Sequence, residues 1–526
     1  MSEKVENLLK SMSNEEKIGQ IMICGFDGKN PSENIQKLIK NYHLGNVILF
    51  KRNIESPDQV KKLTSELQRM SKIPLTIAVD QEGGIVTRLT EPFTVFPGNM
   101  ATAATNDPHN AYLTGLVMAK EMRAVGINWN LAPVVDVNDL PENPGIGVRS
   151  YSDDPRIVAR YASEFVRGLH DGHVAACAKH FPGKGHSAKD AHFEMPVVNR
   201  ELDDLVRIEL YPFKELVRDG IDSIMPSHVY YPALCESEIP ATLSHAVMTG
   251  LLKKEMNFDG VTVTDDLEMG GITTNLEPSE AAWRSLMAGA DMIMICHTFE
   301  KQIGSIENLI QMVKFGDIPI ERLNDAVRRV LNMKENLGLL DGQIVIDSTI
   351  GSKENSDIAY GIAKKSVTLV RNMDSLIEKI PNSKIFLIFP KDLALTNVEE
   401  NAGGMSEIEK LFKEKGKGIE SLYVSSKPSE SEIEEVTKKI SNFNGIVIIG
   451  TLNAHLIAEW KKLVNAVMNV RNDNVLILAL RNPYDCVMDG VRNSVALYSY
   501  SKVSQRAFSE MVLSGERFTG KAPVKL

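Results

Sequence analysis

The sequence contains few cysteines, and their spacing does not match that of a disulfide-linked protein. Five cysteines occur in 526 residues, an odd number, and no two of them form a C-x-x-C pair. Cys24, Cys177 and Cys296 each lie in or beside an apolar run, where buried free thiols are expected. This pattern argues against a disulfide framework and against a zinc site.

The sequence also lacks an excess of positive charge. It has 59 Lys and Arg residues against 69 Asp and Glu residues, a formal net charge of −10, and the basic residues are dispersed. Such a chain has no overall positive field to attract nucleic acid or an anionic membrane surface. We therefore expect neither nucleic acid nor a membrane among its partners.

A long apolar run is absent as well. No stretch approaches the ~20 apolar residues of a membrane span. The N-terminal MSEKVENLLKSMSNEEK intersperses charges and has no apolar core of signal-peptide length. Together with the absence of cysteine pairs, these features favour a reducing, cytoplasmic location.

What the sequence does have is a globular composition, with 43% hydrophobic and 24% charged residues. At this length two or three domains are expected. In the first 340 residues, short apolar runs without alternation are separated by amphipathic segments, which is typical of parallel strands buried on both faces. The strand candidates are Gln20–Cys24, Gly45–Phe50, Leu75–Val79, Ala132–Val135, Ala175–Ala178, Ser223–Met225, Gly260–Thr264 and Asp291–Ile295.

The segments between these strands read as helices. Asp153–His170 repeats an apolar or aromatic residue at every fourth position, and Gly172 ends the pattern. Ser13 begins a capping box, and Asn199 is a candidate cap for Glu201–Arg218. Eight strands alternating with helices predict an α/β fold with a (β/α)₈ TIM-type barrel. An open doubly wound sheet is the alternative, although no glycine-rich fingerprint follows an early strand.

A second domain is predicted after the barrel. Around Leu340–Asp357 the apolar periodicity of strands and helices is lost, and Gly, Ser, Asp and Asn become frequent. We predict a barrel domain over residues 1–345, a linker over 346–360 and a second domain, an α/β sandwich, over 361–526. The strand candidates of the second domain are Ser366–Val370, Ile385–Phe389, Gly445–Ile449, Val475–Leu480 and Ala496–Tyr498.

Ionisable residues follow five of the predicted barrel strands. In a (β/α)₈ barrel the chemistry lies on loops at the carboxyl ends of the strands. One such residue is often a cap or turn former, but five strands ending in groups of both signs indicate a site for a small ligand rich in hydroxyls. These residues are Asp80, Asp136, Lys179-His180, His228 and Asp265-Asp266.

The segment Lys179–Pro196, KHFPGKGHSAKDAHFEMP, is the densest in polar groups. Its glycines and prolines predict a loop. A metal site is one interpretation of its histidines and Asp190, but the spacing lacks a His-x-x-x-His pair and a thiolate. In Asp190-Ala191-His192, the carboxylate can fix one ring nitrogen and leave the other to transfer a proton. A solvated loop with incidental charges is the third interpretation.

These motifs resemble glycoside hydrolase family 3, in its β-N-acetylglucosaminidase branch, the NagZ type. The resemblance covers almost the whole chain. Its most specific parts are the KHFPG…D-x-H loop and the strand that ends in TDDLEM. Further matching segments are LGNVILFKRNI, IAVDQEGGIVTRL, WNLAPVVDVN, GVRSYSDDP, SIMPSHVYYP and, in the C-terminal part, RNPYDC and GKAPV.

The resemblance implies the catalytic roles. The carboxylate after the VTVT strand is the nucleophile of the family, which places this role on Asp265, whereas Asp266 caps the next segment or supports its loop. The Asp-x-His dyad falls on His192 as acid/base and on Asp190 as its partner. Such an enzyme needs no metal and no cofactor.

The resemblance also implies the sugar contacts and exposes one departure. Where many members have His-Gly-Asp after FPG, this chain has Lys184-Gly185-His186, which puts loop closure and leaving-group preference in doubt. Asp136 is a weaker match. The residues matching the family's sugar contacts are Asp80, Arg149, Lys179, His180 and, nearby, His228.

The expected function is exo-acting, retaining hydrolysis of terminal β-linked N-acetylglucosamine. The expected substrates are cell-wall muropeptide or disaccharide fragments and chitooligosaccharides, and the small carbohydrate is the expected partner beside a second copy of the chain in a homodimer. Phosphorolysis at the same site is an alternative, as is β-glucosidase or β-xylosidase activity. A non-catalytic sugar-binding protein is the alternative of a different class.

Overall fold

The computed structural model of the protein describes residues 2–189, 191, 194–235, 237–342, 349–395, 399, 404–471 and 473–526. Most strands of the described chain belong to two parallel or mostly parallel sheets. The first sheet lies in the N-terminal region, residues 2–342. The second lies in the C-terminal region, residues 349–526, and forms a separate sheet domain that we call the second domain.

The first sheet has eight parallel strands in the described residues, in the order β10-β1-β2-β3-β6-β7-β8-β9. Strands β4 and β5 form a small antiparallel hairpin directly after β3. The strands of this region are β1 Met22–Cys24, β2 Asn46–Leu49, β3 Thr76–Val79, β4 Gln81–Gly83, β5 Val86–Thr87, β6 Trp129–Asn130, β7 Ala175–Phe181, β8 Ser223–Pro226, β9 Val261–Thr262 and β10 Ile293–Ile295.

Seven of the eight predicted strands overlap strands of this sheet. The fourth prediction, Ala132–Val135, was wrong: the strand is β6, Trp129–Asn130. Pro133 has no N–H to donate to a ladder, and Val134 makes an isolated bridge to Lys179 instead. The hairpin of β4 and β5 was not predicted.

The sheet is curled, and its strands are buried on both faces. Ile23 and Ala78 belong to a small hydrophobic cluster that includes the fully buried Trp129. Their neighbours along the strands, such as Met22 and Val79, pack against the surrounding helices instead. The prediction of uniformly apolar strands covered on both sides is therefore confirmed.

The first and last strands of the curled sheet, β10 and β9, also contact each other. Val263, just after β9, forms a parallel bridge with Met292, just before β10. The N–H of Thr264 donates to the carbonyl of Met292, and the N–H of Leu267 donates to the carbonyl of Met294, both at 3.0 Å.

Helices connect the strands of the first sheet. A π-helical segment covers Ala246–Glu255, and short 3₁₀ turns cover Lys51–Asn53, Gly147–Arg149, Ala241–Leu243 and Leu339–Asp341. The α-helices are Glu3–Ser11, Asn14–Ile21, Glu33–Asn41, Pro57–Met70, Asn99–Ala104, His109–Ala124, Pro155–Asp171, Leu202–Arg207, Leu210–Arg218, Gly270–Thr273, Pro278–Ala288, Phe299–Phe315 and Ile320–Asn336.

The helix signals in the sequence were mostly correct. Ser13 and Glu16 form the predicted capping box. The helix predicted over Asp153–His170 is Pro155–Asp171, with the Asp154 side chain as its N-cap. The proposed cap at Asn199 was wrong, because the helix starts after Glu201 and is interrupted before Leu210.

The second domain has six strands in the described residues, in the order β11-β16-β15-β14-β12-β13. Only the pair β11 and β16 is antiparallel. The strands are β11 Thr368–Asn372, β12 Ile385–Pro390, β13 Ile419–Val424, β14 Ile446–Thr451, β15 Val475–Ala479 and β16 Asn493–Ala496. The helices are Lys353–Ser366, Leu376–Lys379, Glu407–Glu414, Glu430–Ser441, Ala458–Val470 and Lys502–Ser514, with 3₁₀ turns at Ile380–Asn382 and Pro483–Val487.

The sequence located five of these six strands. It missed β13, an edge strand whose residues IESLYV mix polar and apolar types and stay largely half-buried. The predicted linker, residues 346–360, includes the first half of helix Lys353–Ser366, and residues 343–348 lie outside the described chain. The domain bounds 1–345 and 361–526 stay predictions.

All five cysteines are buried and free. Across the described residues, no helix combines the length and apolar character needed to cross a membrane.

Lys334 makes the stability of the N-terminal region depend on pH. The side chain is fully buried, and its ammonium donates to Gln20 Oε1 at 2.7 Å and to the Gly45 carbonyl at 2.9 Å. Burial lowers its pKa to about 7, against ~10.4 in an unfolded chain. Between these values the unfolded state binds a proton that the folded state has released, so stability rises with pH.

We therefore expect the wild-type protein to gain about 3 kcal/mol of unfolding free energy relative to Lys334→Met between pH 7 and pH 10. Urea unfolding at both pH values measures this difference. Lys61→Met, at an exposed lysine, is the control and should show no such trend. A pH-independent gap between wild type and Lys334→Met would contradict the assignment.

Candidate active site

A cavity of about 480 Å³ opens at the carboxyl ends of the first sheet's strands. Seven of the residues singled out in the sequence line it: Asp80, Arg149, Lys179, His180, Lys184, Asp265 and Asp266. Parallel strands end at the same edge of a sheet, which is why residues separated by up to 186 positions in the chain meet here.

Asp265 lies at the end of β9. The ladder contacts of Val263 and Thr264 with Met292 fix the backbone before it. Its Oδ1 accepts the N–H of Asp266 at 2.9 Å, and the side chain is half-buried. A carboxylate held in this way is oriented by the backbone and faces a cavity.

Glu82 is a central residue of the cavity that the sequence analysis missed. It accepts two hydrogen bonds from Arg149, from Nε at 2.9 Å and from Nη2 at 2.8 Å. Lys179 Nζ lies 2.8 Å from Glu82 and donates to Asp80 Oδ1 at 2.7 Å. We call these four residues the charged cluster. The signal that could have found Glu82 was a second carboxylate two positions after Asp80, beside a Gly-Gly turn.

Each member of the charged cluster lies against opposite charges; Glu82, Arg149 and Lys179 are buried, and Asp80 is half-buried. Burial by itself would raise the pKa of Glu82, but the charges of Arg149 and Lys179 hold it well below its usual range. Burial opposes the charge of Lys179, yet Asp80 and Glu82 raise its pKa above the ordinary lysine value. The cluster therefore presents fixed donors and acceptors to a polar ligand.

His180 is a buried, neutral imidazole. Its Nδ1 lies 2.8 Å from Asp136 Oδ2, and its backbone N–H also faces that carboxylate. Burial, and then the positive charges of Lys184 and Arg149, hold the pKa of His180 well below its usual value. Asp136 thereby fixes the ring of His180 from behind the cavity wall, which explains the polar residue after the WNLAPVV run.

Asp266 differs from its neighbour Asp265 in environment. Its Oδ1 accepts N–H groups of Glu268 at 3.2 Å and Cys296 at 3.1 Å. Burial is the main cause that raises its pKa to about 7. Asp265 and Asp266 are therefore neighbours in the sequence that differ in burial and in hydrogen bonding. The Asp266 carboxylate fixes the loop after β9.

The rim of the cavity is partly aromatic. The rings of Phe50 and His297 lie 5.2 Å apart, and the guanidinium of Arg52 sits 4.5 Å from the Phe50 centroid. The second domain contributes Glu399 to the lining, in a buried ion pair with Arg481 at 2.6 Å. Residues of both sheet regions therefore line the cavity.

The residues Lys184-Gly185-His186, which differ from the His-Gly-Asp of many family members, lie in two different environments. Lys184 lines the cavity, and its N–H donates to Asp136 Oδ1 at 2.7 Å. His186 is not among the described residues of the lining; its Nδ1 lies 3.0 Å from Asp139 Oδ1. The lysine therefore adds a positive charge to the site, whereas the histidine supports the segment from outside.

One predicted sugar contact lies outside the cavity, and two predicted catalytic residues lie outside the described chain. His228 is buried behind the cavity, with its ring nitrogens 2.8 Å from Thr242 Oγ1 and 3.0 Å from the Asp266 carbonyl. It is absent from the described lining and contacts the loop after β9 instead. Asp190 and His192 lie outside the described residues.

Among the described residues, no group of three or more His, Cys, Asp or Glu side chains has the arrangement of a metal site. The expectation that the protein needs no metal or cofactor stays a prediction.

Comparisons with known proteins give the site its chemical context. Residues 13–333 match the family model described as glycosyl hydrolase family 3 N terminal domain. The chain is similar to β-hexosaminidase A of Pseudoalteromonas piscicida, with 33% identity over 387 residues, 68% of this chain and 64% of that protein. The chain thus spans slightly less than two thirds of that relative's length.

Several solved structures resemble the chain over almost its whole length, two of which are compared with it below. A family 3 β-N-acetylglucosaminidase from Paenibacillus sp. str. FPU-7 has a TM-score of 0.94 and 34% identity, covering 98% of this chain and 99% of that one. A β-glucoside phosphorylase has a TM-score of 0.83 and 27% identity, covering 100% and 96%. The family model covers more than half of the chain, and the Paenibacillus enzyme matches nearly all of it: the chain belongs to glycoside hydrolase family 3, in its β-N-acetylglucosaminidase (NagZ-type) branch.

Proposed function

We propose that the protein is an exo-acting, retaining β-N-acetylhexosaminidase that removes terminal, non-reducing β-linked N-acetylglucosamine. The observation that carries this proposal is the cavity, where Asp265 faces the charged cluster. A pyranose ring rich in hydroxyls needs such converging donors and acceptors. The likeness to a β-N-acetylglucosaminidase over both sheet regions supports the choice of sugar.

In the proposed reaction Asp265 attacks the anomeric carbon. The bond from that carbon to the glycosidic oxygen breaks, and His192 donates a proton to the departing oxygen. A water molecule then attacks the covalent glycosyl-enzyme, gives its proton to His192 and restores the Asp265 carboxylate. Asp190 orients His192 and stabilises its protonated form, as in other carboxylate–imidazole pairs.

The charged cluster binds the sugar in this proposal. Arg149 and Lys179 donate to sugar hydroxyls, and Asp80 accepts from them. Glu82 holds the two cations at fixed positions, and neutral His180 adds a ring nitrogen as a further hydrogen-bonding group. Because these groups are already ordered, little rotamer freedom is lost when the sugar binds.

We also propose that the first sheet closes into a (β/α)₈ barrel and that the chain divides at the linker predicted over residues 346–360. The bridge between Val263 and Met292 and the hydrogen bonds around it support closure, since they join the first and last strands of the sheet. Closure brings Asp265, after β9, close to the ends of all the other strands.

Cell-wall muropeptide or disaccharide fragments and short chitooligosaccharides are the proposed substrates, which makes recycling of cell-wall material the proposed role. Hydrolysis is favoured over phosphorolysis because identity is 34% to the β-N-acetylglucosaminidase and 27% to the β-glucoside phosphorylase.

Identification of the products tests the proposal. Incubation of p-nitrophenyl N-acetyl-β-glucosaminide with and without phosphate at ~50 mM, about fifty times the upper end of typical KM values, should give free N-acetylglucosamine in both cases. The corresponding aryl glucoside is the matched substrate and should react far more slowly. A sugar 1-phosphate as main product, or preference for the glucoside, would overturn the assignment.

Glu82→Gln should lower kcat/KM by about 100-fold. The amide keeps the shape of the glutamate but removes its negative charge, so Arg149 loses the carboxylate that it binds and Lys179 keeps only its bond to Asp80. Glu121→Gln is the control: Glu121 is equally buried but accepts hydrogen bonds from Thr94, away from the cavity. Initial rates and thermal unfolding should show destabilisation in both variants and a large kinetic loss in Glu82→Gln alone. Equal kinetic constants in both would refute the role of Glu82.

A further inference from the structure

We infer that the segment Arg481–Asp485 of the second domain, together with His455, is a positioning element for the sugar site. The segment belongs to the RNPYDC motif, to which the proposed mechanism gives no role. The inference rests on the proposed function and extends it, because it assigns the second domain a kinetic role. Its residues touch no reacting atom and act through loops of the N-terminal region.

The first contact fixes the turn that carries Arg149. Asn482 is buried, and its Oδ1 accepts the N–H of Val148 at 3.1 Å. Gly147, with φ +45°, packs so closely on this side chain that a Cβ there would lie 2.3 Å from the same oxygen. Arg149, which follows Val148, binds Glu82 in the charged cluster. Asn482 therefore sets the backbone from which the guanidinium reaches the sugar.

The second contact holds the loop that precedes this turn. His455 Nε2 lies 3.2 Å from the carbonyl of Pro141. A carbonyl can only accept, so Nε2 donates to Pro141. On the other side of the ring, Asp485 Oδ1 lies 2.6 Å from His455 Nδ1 and also accepts the backbone N–H of His455 at 2.9 Å. Asp485 thus fixes the ring in the orientation that reaches Pro141.

That loop in turn supports the base of the predicted catalytic loop. Asn143, two residues after Pro141, donates from Nδ2 to the carbonyls of Lys184 and Gly185, both at 2.9 Å. Gly185 has no space for a side chain, because a Cβ would lie 1.7 Å from the Val137 carbonyl. Lys184 and Gly185, which precede His192 in the catalytic loop, are therefore fixed by the loop that contains Pro141 and Asn143. The second domain holds that loop through His455.

Both contacts end on backbone groups of loops rather than on apolar side chains. Hydrogen bonds to loop backbone fix position more than they add stability, since each contributes only about 1 kcal/mol net. Displacement of a binding or catalytic group by about 1 Å can cost on the order of 100-fold in rate. We therefore expect kinetic effects larger than the effects on stability.

The test compares His455→Ala and Asn482→Ala with His170→Ala in the full-length protein. His170 also forms a His–Asp pair, 2.7 Å from Asp222, but neither residue belongs to the described lining of the cavity. Wild-type turnover of the aryl N-acetylglucosaminide is measured first, and its absence would refute the proposed function rather than this inference. Asn482→Ala should raise KM about tenfold, with a smaller change in kcat, because Arg149 is a binding group.

His455→Ala should lower kcat for N,N′-diacetylchitobiose about tenfold and kcat for the aryl substrate much less, because the clamped loop leads to the proton donor. His455→Gln, whose amide can still donate to Pro141, should recover part of the loss. If His455→Ala does not fold, His455→Gln takes its place in the test. The inference is overturned if the His455 and Asn482 variants, assayed below their unfolding temperatures, match His170→Ala in both constants.

Discussion

Asp265→Ala should lower kcat for p-nitrophenyl N-acetyl-β-glucosaminide by on the order of 10⁴-fold or more. The aryl group leaves with little help from an acid. The rate with this substrate therefore depends mainly on the nucleophile, and removal of the nucleophile should cause nearly all of the loss. Asp265 lies in the loop directly after β9, and the other half-buried carboxylate of that loop, Glu268, accepts the backbone N–H groups of His297 and Thr298. Asp80 and Glu82 are tied to Lys179, and Asp266 accepts two backbone N–H groups.

Azide should restore turnover to Asp265→Ala and yield the α-glycosyl azide, because a small anion can attack from the face that the aspartate leaves open. Asp266→Asn is the adjacent isosteric control; it should lose far less activity and gain nothing from azide. A 5-fluoro glycosyl donor should label the wild-type peptide that contains Asp265. Near-normal turnover of Asp265→Ala, or a label on another peptide, would refute the nucleophile assignment.

The positions of the cavity residues followed from a local rule. Asp80, Lys179, His180 and Asp265 each lie within or just after a run of buried apolar residues, and parallel strands place such positions together. The rule works because strand type and chain direction are local properties. It failed for the fourth strand, since Pro133 interrupts a run whose composition otherwise favours a strand.

The partnerships inside the cavity could not be predicted in the same way. Glu82 pairs with Arg149 across 67 positions, and Asn482 binds Val148 across 334. Such pairs depend on tertiary distances that composition and periodicity do not encode. His228 illustrates the opposite error: the strand-end rule selected it, but its ring is occupied by Thr242 and the Asp266 carbonyl. The rule finds residues at the correct edge and does not say which way they face.

The second domain shows the same division between local and tertiary information. Its buried central strands were located from apolar runs, whereas edge strand β13 was missed because half-buried positions allow polar residues. The motif Arg481–Cys486 was recognised as a sequence feature, yet its contacts with the first sheet region become apparent only when both regions are seen together.

His192→Ala should lower kcat for N,N′-diacetylchitobiose by about 10³-fold and kcat for a 2,4-dinitrophenyl glycoside by much less. A sugar alkoxide is a poor leaving group and needs a proton as the bond breaks, whereas dinitrophenolate departs without one. His186→Ala is the matched control, since this imidazole belongs to the same segment but contacts Asp139. It should leave the ratio of the two rates close to that of the wild type.

The pH profile gives a second readout of the same assignment. A general acid must be protonated in the free enzyme, so kcat/KM for the disaccharide should fall on the alkaline side as His192 loses its proton. A free imidazole titrates near pH ~6.5, and the Asp190 carboxylate should move the fall to higher pH because it stabilises the protonated ring. Asp190→Asn should bring the fall back toward neutral pH, and His192→Ala should abolish it. Equal losses on both leaving groups, with the alkaline fall unchanged, would exclude His192 as the proton donor.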